Sequence, residues 1–546
     1  GMGEWAPIFQ TILPIVSALF IILGNLFVGR LLEKKPTLAG KARPLILIGM
    51  PVILVSFLFL FLTPKIIGVV PEGDTNANYA LAIIVAVGYN LYYALAWPLY
   101  YTSHSALVNL STRDGGKRGL LSTCIMAAQL GAAGLSGMIG PFIVDGLDLL
   151  PKYQLTASGQ AKLGTTTLET VKDVVGLTKG TDYTEIVTRA EANEKWFILM
   201  LVMIGTLILG CIVEYFFTRE RITEEQVKIE AETKEKKEVK KVSMGEQARI
   251  CLKDKYWWII IVFFFLYQFG GMMKNNGLSF YAQAMTGKDG LAGLISTIGA
   301  IPTAAGMAIV WPIAAKIGKS KTIAFGGFIA LLGGLLAFVG LVPSLVDSDT
   351  LFTLLETDVN SSGILAVVAF IIKALGTTPA MYIALAVMAL VLDHQEAVYG
   401  VRTDGFTMAV YGSIMVAMSG LCNGIIVGIN ALCPDIATKR VVHTILTYGV
   451  EGICYLVMSI MFFFMNVEKF TKIDNKAISM DQKAAVEAEG GTYVESEERI
   501  KLEKEQAERE AKMAPAQLEK YKENEAKALE EFNKLRTANG KAPVTL

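Results

Sequence analysis

The chain has 546 residues and no formal net charge, and 53% of its residues are hydrophobic against 18% that are charged. A soluble globular protein rarely reaches its mean hydropathy of +0.47, and apolar runs of about 20 residues recur along it, which is typical of a polytopic helical membrane protein. The balanced charge gives no indication of a nucleic-acid partner. No phosphate-binding or hydrolase motif is found in a plausible context, so neither an enzyme nor an ATP-driven transporter is indicated.

Eleven apolar segments are long enough to be membrane-spanning helices. They lie near residues 7–29, 44–63, 79–108, 119–144, 195–217, 256–285, 290–315, 322–343, 363–392, 405–430 and 442–466. Five spans thus precede a long Lys-rich segment, and six spans follow it. Two six-helix halves joined by such a linker are a known plan for transporters, so we expect that a first helix is missing from this sequence.

Lysine and arginine are concentrated in alternate loops, which sets the expected orientation. The basic loops cover residues 30–43, 109–118, 218–255 and 316–321. The intervening loops 64–78 and 344–362 are poor in both residues. We therefore expect a multi-pass protein of the plasma membrane, with the basic loops and the C-terminus in the cytoplasm and the N-terminus outside.

This pattern divides the chain into four units. An N-terminal helical bundle covers residues 1–217 with an external insertion over 145–194, and a cytoplasmic linker covers 218–255. A C-terminal six-helix bundle covers 256–466. Residues 467–546 form a charged tail, in which many opposite charges four residues apart favour a helix. The tail is expected to be solvated, or alternatively to regulate the protein or to bind a protein partner.

The third span carries a dense aromatic stretch, YNLYYALAWPLYYTSH, which begins at Tyr89. Tyr89, Tyr93, Trp97 and Tyr101 recur every fourth residue, so they form one stripe on a helix. Such rings can stack on a sugar while their hydroxyl and indole groups bond its hydroxyls. Packing between helices is the alternative. Pro98 is expected to kink this helix.

Ionisable residues inside membrane spans are costly and are candidates for function. Lys274 lies in the span 256–285, and Lys373 lies in the span 363–392. Two lysines without an evident neighbouring carboxylate favour an anionic solute, although each could instead extend to the membrane surface. Glu451 is a candidate for a cation or proton site, or else a packing contact. Polar side chains that could bind the solute through hydrogen bonds are Gln129, Gln268 and Asn275.

Several loop stretches together indicate a family. They are GRLLE from Gly29, GKARP from Gly40, RDGGKR from Arg113, and DHQE with YGVRTDG from Asp393. They resemble the loop motifs of the major facilitator superfamily, specifically of its glycoside–pentoside–hexuronide:cation symporter family, whose members include melibiose permease-like proteins. The resemblance covers about residues 7–466.

The resemblance implies an all-α membrane protein with the two-bundle fold of that superfamily, on a 6+6 plan with eleven spans visible. It implies a secondary transporter that moves a glycoside or uronide-like solute by alternating access, coupled to H⁺ or Na⁺. The spans that carry the aromatic stripe, Lys274 and Lys373 would then line the central cavity. We expect Tyr93, Trp97 and Tyr101 to face it, with Tyr92 and Tyr100 packing elsewhere.

Charged loops at the inner ends of helices can pair across the two halves and hold one face closed. The candidates for this cytoplasmic gate are Glu33, Arg43, Arg118, Asp393, Glu396 and Arg402. For the arginines, the alternative is a role in membrane topology alone.

The sequence departs from melibiose permease-like members at the coupling-ion site. Their second helix carries two aspartates that bind the cation, and the matching positions here are about Asn25 and Ile21. Asn25 can offer one carbonyl oxygen, whereas a Na⁺ site needs several oxygens. Met126 and Val416 stand where those members have a basic residue, so the solute need not be melibiose.

Two other interpretations remain open at this point. The solute could be amphiphilic, lipid-like or an organic anion that binds against the aromatic stripe. Alternatively, the protein could be a membrane sensor that binds a solute without moving it and signals through the tail. In each case the expected partners are a small molecule and the lipid bilayer, with no cofactor and no metal, since the six cysteines have no metal-binding spacing.

Overall fold

The computed structural model describes residues 5–32, 37, 39–63, 66, 75–149, 152–163, 179–232, 242–286, 290–346, 361–433, 435–488 and 490–545. Helices dominate these residues, and each of the eleven predicted spans falls on a helix or a continuous helical run. Within the described ranges, nine helices are long and apolar enough to cross a membrane. The expected all-α membrane class is confirmed.

The helices and strands, in chain order, are α1 (Trp5–Leu32), α2 (Arg43–Phe57), α3 (Thr75–Asn90), α4 (Trp97–Ser111), α5 (Gly115–Gly146), β1 (Lys152–Leu155), α6 (Ala157–Leu163), β2 (Tyr183–Val187), α7 (Arg189–Phe217), α8 (Arg221–Glu232), α9 (Met244–Lys253), α10 (Lys255–Thr286), α11 (Gly290–Ile317), α12 (Lys319–Val346), α13 (Ser361–Tyr399), α14 (Asp404–Leu432), α15 (Ile436–Thr444), α16 (Val450–Phe463), α17 (Thr471–Ala488), α18 (Glu497–Ala511) and α19 (Pro515–Ala538). The strands β1 and β2 pair antiparallel within the predicted insertion.

Three helical runs within the described part of the chain contain a π-helical turn. Leu58–Leu62 extends α2, Leu91–Ala96 joins α3 to α4, and Ile445–Gly449 joins α15 to α16. A π turn accommodates an extra residue and rotates the side chains that follow it, and such turns occur frequently at functional sites. Two of the three turns lie beside residues that the sequence marks as candidates for function.

The two halves contact each other along α1 and α14, which run antiparallel. A Cβ atom on Gly29 would overlap the carbonyl oxygen of Gly405, and one on Gly420 would lie 2.9 Å from the Cβ of Pro14. On the other side of the bundle, Ser122 of α5 donates a hydrogen bond to the carbonyl of Tyr382 at 2.8 Å. Small residues thus allow close approach of backbones between the halves.

Helix α13 forms the centre of the C-terminal half. All residues from Tyr382 to Gln395 are buried. The end of α13 lies at the face of the bundle that carries the loops 112–114 and 400–403, which we call the basic-loop face. The tail helices α17 and α19 pack on α13 at this face, where Phe470 and Phe532 are fully buried.

Candidate functional site

Five charged side chains from both halves meet at the basic-loop face, and we call them the arginine–carboxylate cluster. Its members are Arg113, Arg118, Asp393, Glu396 and Arg402. The guanidinium groups of Arg118 and Arg402 both contact the carboxylate of Asp393. Arg113 forms a two-point contact with Glu396, at 3.1 and 3.3 Å, and lies 3.5 Å from Asp393. The cluster therefore ties the loop and helix after α4 to the end of α13.

Burial makes the pairing within the cluster energetically important. Arg118 is 0% exposed and Arg113 is 2% exposed, and an unpaired buried charge is strongly destabilising. Further carboxylates complete the neutralisation, because Glu225 lies 3.2 Å from Arg113 and Asp404 lies 2.7 Å from Arg402. Burial alone would lower the pKa of Arg113, but Glu396 and Glu225 hold it well above its usual value. Arg113 therefore stays charged while the halves are in contact.

The structure brings together four of the six predicted gate residues: Arg118, Asp393, Glu396 and Arg402. Glu33 lies outside the described residues. Arg113 is not among the gate residues predicted from the sequence. Its position in the charged stretch RDGGKR, which also contains Arg118, is the sequence feature that could have identified it.

Arg43 does not pair across the halves, contrary to the prediction. Its guanidinium donates to the carbonyl of Tyr215 at 3.0 Å and lies over the ring of that residue, 4.9 Å from the centroid. The carboxylate of Glu220 accepts from the backbone N–H of Arg43 at 2.9 Å and so fixes the start of α2. These contacts hold Arg43 against α7, within the N-terminal half.

The π turn Leu91–Ala96 divides the aromatic stripe. Tyr89, before the turn, contacts Tyr93 within it, with ring centroids 4.5 Å apart, and Trp97 and Tyr101 stack after the turn at 5.7 Å. Trp97 also meets Tyr92, five residues earlier, at 5.9 Å. Tyr92 therefore does not pack away from the stripe as expected, because the wider turn rotates the following residues.

The turn also accommodates Pro98, which lies in the first turn of α4. Proline has no N–H to donate and commonly disturbs a helix. At the position of the predicted kink the structure has the π turn Leu91–Ala96. Tyr100 contacts Trp97 at 5.8 Å and stacks on His104, which pairs with Glu214 of α7. Tyr100 thus lies beside the stripe and connects it to the periphery of the N-terminal half.

The aromatic rings continue from the N-terminal half into the C-terminal half. The hydroxyl of Tyr101 lies 3.2 Å from that of Tyr411 on α14, and the ring of Tyr411 packs edge-on against Phe264 of α10 at 4.8 Å. Tyr93, Trp97 and Tyr101 also pack against an apolar cluster formed by Ile21, Val416 and Ala417. These three rings lie where the halves meet, and we call Tyr93, Trp97, Tyr101 and Tyr411 the aromatic platform. No sequence signal had singled out Tyr411.

Lys373 has a carboxylate partner, which corrects the premise of two unpaired lysines. Its ammonium group contacts Glu451 of α16, and both side chains are buried, with 6% and 4% exposure. The same ammonium lies 5.3 Å from the centroid of the Tyr448 ring. Helix α16 packs against α10 and α12, and this placement directs Glu451 into the C-terminal half.

Lys274 differs from Lys373 in its surroundings. It is half-buried on α10, within electrostatic range of Lys373, and no ion pair to a described carboxylate is formed. Lys274 is therefore an uncompensated positive charge within the membrane bundle, as far as the described residues show.

The predicted amide ligands differ in their contacts. Gln268 donates to the carbonyl of Met415 at 2.9 Å and so joins α10 to α14. Gln129 and Asn275 are exposed.

Asn25 makes packing contacts in this structure, and its role as a cation ligand stays a prediction. Its side-chain oxygen accepts from Thr102 at 2.8 Å, its nitrogen donates to Ile21 at 2.9 Å, and the amide lies against Gly412. Among the residues that the structure describes, no cluster of His, Cys, Asp or Glu could hold a metal ion. The side-chain oxygen of Asn25 already accepts one hydrogen bond, from Thr102.

The tail contacts both halves at the basic-loop face rather than extending into solvent. On the N-terminal side, Glu498 contacts Thr112, and Arg499 pairs with Glu225 at 2.7 Å. On the C-terminal side, the carboxylate of Asp474 lies 2.9 Å from the Nδ1 of His394, within hydrogen-bonding distance. Arg536 donates a hydrogen bond to the carbonyl of Ala397. The predicted solvated helix is therefore a docked segment, and binding of a separate protein stays a prediction.

Comparison with known proteins agrees with this architecture. The sequence model of the MFS/sugar transport protein family matches residues 7–469. No curated protein matches the chain.

Solved structures of similar fold include two that face outward. The fucose:proton symporter FucP of E. coli matches with a TM-score of 0.50 and 13% identity over 84% of this chain and 91% of its own. Its outward conformation matches with a TM-score of 0.52 and 12% identity, over 84% and 90%. A bacterial homologue of the iron transporter ferroportin, also facing outward, matches with a TM-score of 0.52 and 10% identity, over 85% and 92%. At these identities the likeness concerns the fold.

Proposed function

The chain belongs to the MFS/sugar transport protein family, and from this premise we propose that it moves a glycoside or uronide-like solute across the plasma membrane by alternating access. Its family makes it a secondary transporter and a multi-pass membrane protein rather than an enzyme. What the proposal adds is the solute class, the membrane and the roles of the residues.

The aromatic platform is the observation that supports a sugar-like solute. Its rings come from the π turn before α4, from α4 itself and from α14, so they lie where the two halves meet. Transporter folds of this kind bind solutes between their repeats. Tyrosine and tryptophan combine a flat apolar face with a hydrogen-bonding edge, which suits a sugar ring with its apolar face and its hydroxyls. A solute held there contacts both halves and can follow their movement.

The arginine–carboxylate cluster supports alternating access with a lock at the basic-loop face. We propose that this face is the cytoplasmic one, in agreement with the positive-inside rule. The cluster holds the halves together in the conformation seen here and must separate when the solute is released on this side. Its residues lie in the loop stretches that resemble the glycoside–pentoside–hexuronide:cation symporter family, which supports that assignment.

The charges in the C-terminal half favour a solute with one negative charge. Lys373 and Glu451 neutralise each other, so Lys274 supplies the remaining positive charge beside them. A positive charge without a fixed partner inside a membrane bundle is expensive, and it becomes favourable when a ligand carries the opposite charge. A uronide, which adds one carboxylate to a glycoside, has this property.

Thermal stabilisation of the purified protein tests the proposal. Methyl β-glucuronide and methyl β-glucoside differ by one carboxylate, so they form a matched pair of ligands. We expect stabilisation by the glucuronide, and its loss in Lys274→Ala but not in Lys321→Ala, a control at an exposed lysine near the start of α12. Stabilisation by the neutral glucoside alone would contradict the role of Lys274, and a response to neither would contradict the solute class.

A further inference from the structure

A cleft of about 500 Å³ lies at the basic-loop face, where three segments that are distant in sequence come together. Helix α9 of the linker lines it with Arg249 and Lys253. The end of α13 lines it with Tyr399, and the tail lines it with Asn539, the residue after α19. We call this space the α9 cleft. Its volume lies within the range of sites that hold small ligands.

The α9 cleft carries positive charge without a fixed partner. Arg249 and Lys253 are four residues apart, so both lie on one side of α9, and both side chains are exposed. Among the residues that the structure describes, neither forms an ion pair. Glu246 also lines the cleft, so two cations and one carboxylate leave it with a net positive charge. Such a lining favours an anion, and the planar guanidinium of an arginine suits a phosphate group in particular.

Exposed apolar side chains next to α9 mark the edge of the membrane. Asp254 has extended backbone angles and separates α9 from the membrane-spanning α10. Leu252, at the end of α9, is 54% exposed, and Trp258, in the first turn of α10, is 45% exposed. The indole of Trp258 donates to the carbonyl of Leu252 at 3.1 Å. Tryptophan is enriched at the boundary between the acyl chains and the head groups of a bilayer, so the end of α9 lies at that level.

The other side of α9 is fixed to the protein. Gln247 and Cys251 are fully buried, and the side-chain oxygen of Gln247 accepts from the backbone N–H of Phe406 at 3.1 Å. Helix α9 is therefore held where α10 and α14 begin. Its exposed side combines two basic residues with an exposed leucine, and this combination is typical of a helix that lies in the membrane interface.

We propose that the α9 cleft binds the head group of an anionic phospholipid. Arg249 and Lys253 hold the phosphate, while the acyl chains lie beside Leu252 and Trp258. A soluble phosphate ester shares the chemistry of the head group, but it has no use for the apolar residues beside the cleft. Because Asn539 belongs to the tail, a lipid bound here contacts both the linker and the docked tail. The site is separate from the aromatic platform and does not depend on the solute class.

Native mass spectrometry of the full chain in detergent tests the site. Titration with phosphatidylglycerol should give a saturable complex. The double variant Arg249→Gln/Lys253→Gln should weaken this complex roughly 30-fold, since each basic residue near the membrane surface strengthens binding of an anionic lipid about fivefold. Phosphatidylcholine, in which the choline group cancels the charge of the phosphate, should bind weakly and equally to both proteins. Both substitutions are at exposed side chains, so the thermal midpoint should not change.

The matched control is the double variant Lys316→Gln/Lys321→Gln. It removes the same charge from two exposed lysines that flank the turn between α11 and α12, at the face where Lys319 contacts Glu468. The control should bind phosphatidylglycerol like the wild type. Equal weakening in the two double variants would overturn the site, because the attraction would then come from surface charge in general. Equal affinity of the wild type for phosphatidylglycerol and phosphatidylcholine would overturn the selection of an anionic lipid.

Glycerol 3-phosphate distinguishes a lipid site from a site for a soluble phosphate. It carries a phosphate and a glycerol but no acyl chains, so a large molar excess of it should leave the complex with phosphatidylglycerol intact. Displacement of the lipid by this compound would overturn the lipid as the occupant of the cleft. These measurements use no transported solute, so their outcome is independent of the test of the proposed function.

Discussion

Replacing Asp393 with asparagine keeps the size of the side chain but removes a carboxylate that three arginines share. Arg118 and Arg402 contact it directly and Arg113 lies 3.5 Å away. In the conformation seen here the three guanidinium groups would be buried with too little negative charge, whereas separation of the halves would return them to water. We therefore expect Asp393→Asn to shift the equilibrium towards an open basic-loop face.

The size of the shift follows from the burial of the cluster. Removing one partner of a buried ion pair costs about 3–5 kcal/mol. At ~1.4 kcal/mol per tenfold change, the lower value raises the open population roughly 100-fold. Ser122 reports this population, since it is 0% exposed and lies between α5 and α13.

The assay is alkylation of a cysteine at that position. A Ser122→Cys variant carries the reporter, and Cys124→Ser removes an exposed native thiol nearby. Asp393→Asn should raise the alkylation rate by about the same factor as the open population, roughly 100-fold. Asp114→Asn is the matched control, because Asp114 bonds to the backbone of Gly116 and Lys117 within one half. Similar rates in Asp393→Asn and the parent, or an equal rise in the control, would contradict a role for Asp393 in holding the two halves together.

Three further predictions concern the platform and the tail. Trp97→Ala should weaken binding of methyl β-glucuronide and methyl β-glucoside alike by about 1 kcal/mol or more. The control Trp258→Ala, at an indole that is 45% exposed, should leave binding titrations with both ligands unchanged. Weaker binding of only one of the two ligands in Trp97→Ala would contradict a stacking role. Arg536→Ala removes a fully buried guanidinium that bonds to Ala397 and Asp481, so it should lower the thermal midpoint by several degrees, whereas Lys534→Ala, at an exposed pair with Glu530, should change stability by less than about 0.5 kcal/mol. Burial opposes ionisation of Glu495, but its hydrogen bond from Ser479 and the charge of Arg499 hold its pKa below the usual value. The contribution of ionised Glu495 to tail docking is therefore complete above the ordinary pKa of a glutamate and is lost as pH falls through the lowered pKa. Protection of the tail from proteases should decrease over this pH range in the parent, and it should decrease less in Glu495→Gln.

The sequence predicts features that depend on local composition. A membrane span needs only a sufficient apolar length, so each of the eleven segments falls on a helix. The charged loop stretches likewise predict one group of residues, because short loops at the same face of a helical bundle lie close together. These residues are Arg118, Asp393, Glu396 and Arg402.

Contacts that depend on helix rotation cannot be predicted in this way. The pairing of Lys373 with Glu451 requires the relative rotation of α13 and α16, which apolar length does not encode. The π turn before Trp97 changes which tyrosine it meets, and no residue type marks a π turn. Arg43 lies in a loop as basic as the others but is held by Tyr215 and Glu220, two partners distant in sequence.

The docking of the tail left a weak signal in the sequence. Phe470 and Phe532 are large apolar residues in an otherwise charged segment, and both are buried against His394. Large apolar side chains are not needed in a fully solvated helix, so these two phenylalanines indicate docking. Opposite charges four residues apart do not distinguish the cases, because they occur in exposed and docked helices alike.

Solute counterflow in proteoliposomes measures the proposed alternating-access transport itself. Vesicles that contain the purified protein are loaded with methyl β-glucuronide, diluted, and given a trace of the labelled compound outside. We expect saturable accumulation of the label, which is reduced by Lys274→Ala and kept in Lys321→Ala. Saturable binding of the glucuronide without accumulation would contradict alternating-access transport of this solute.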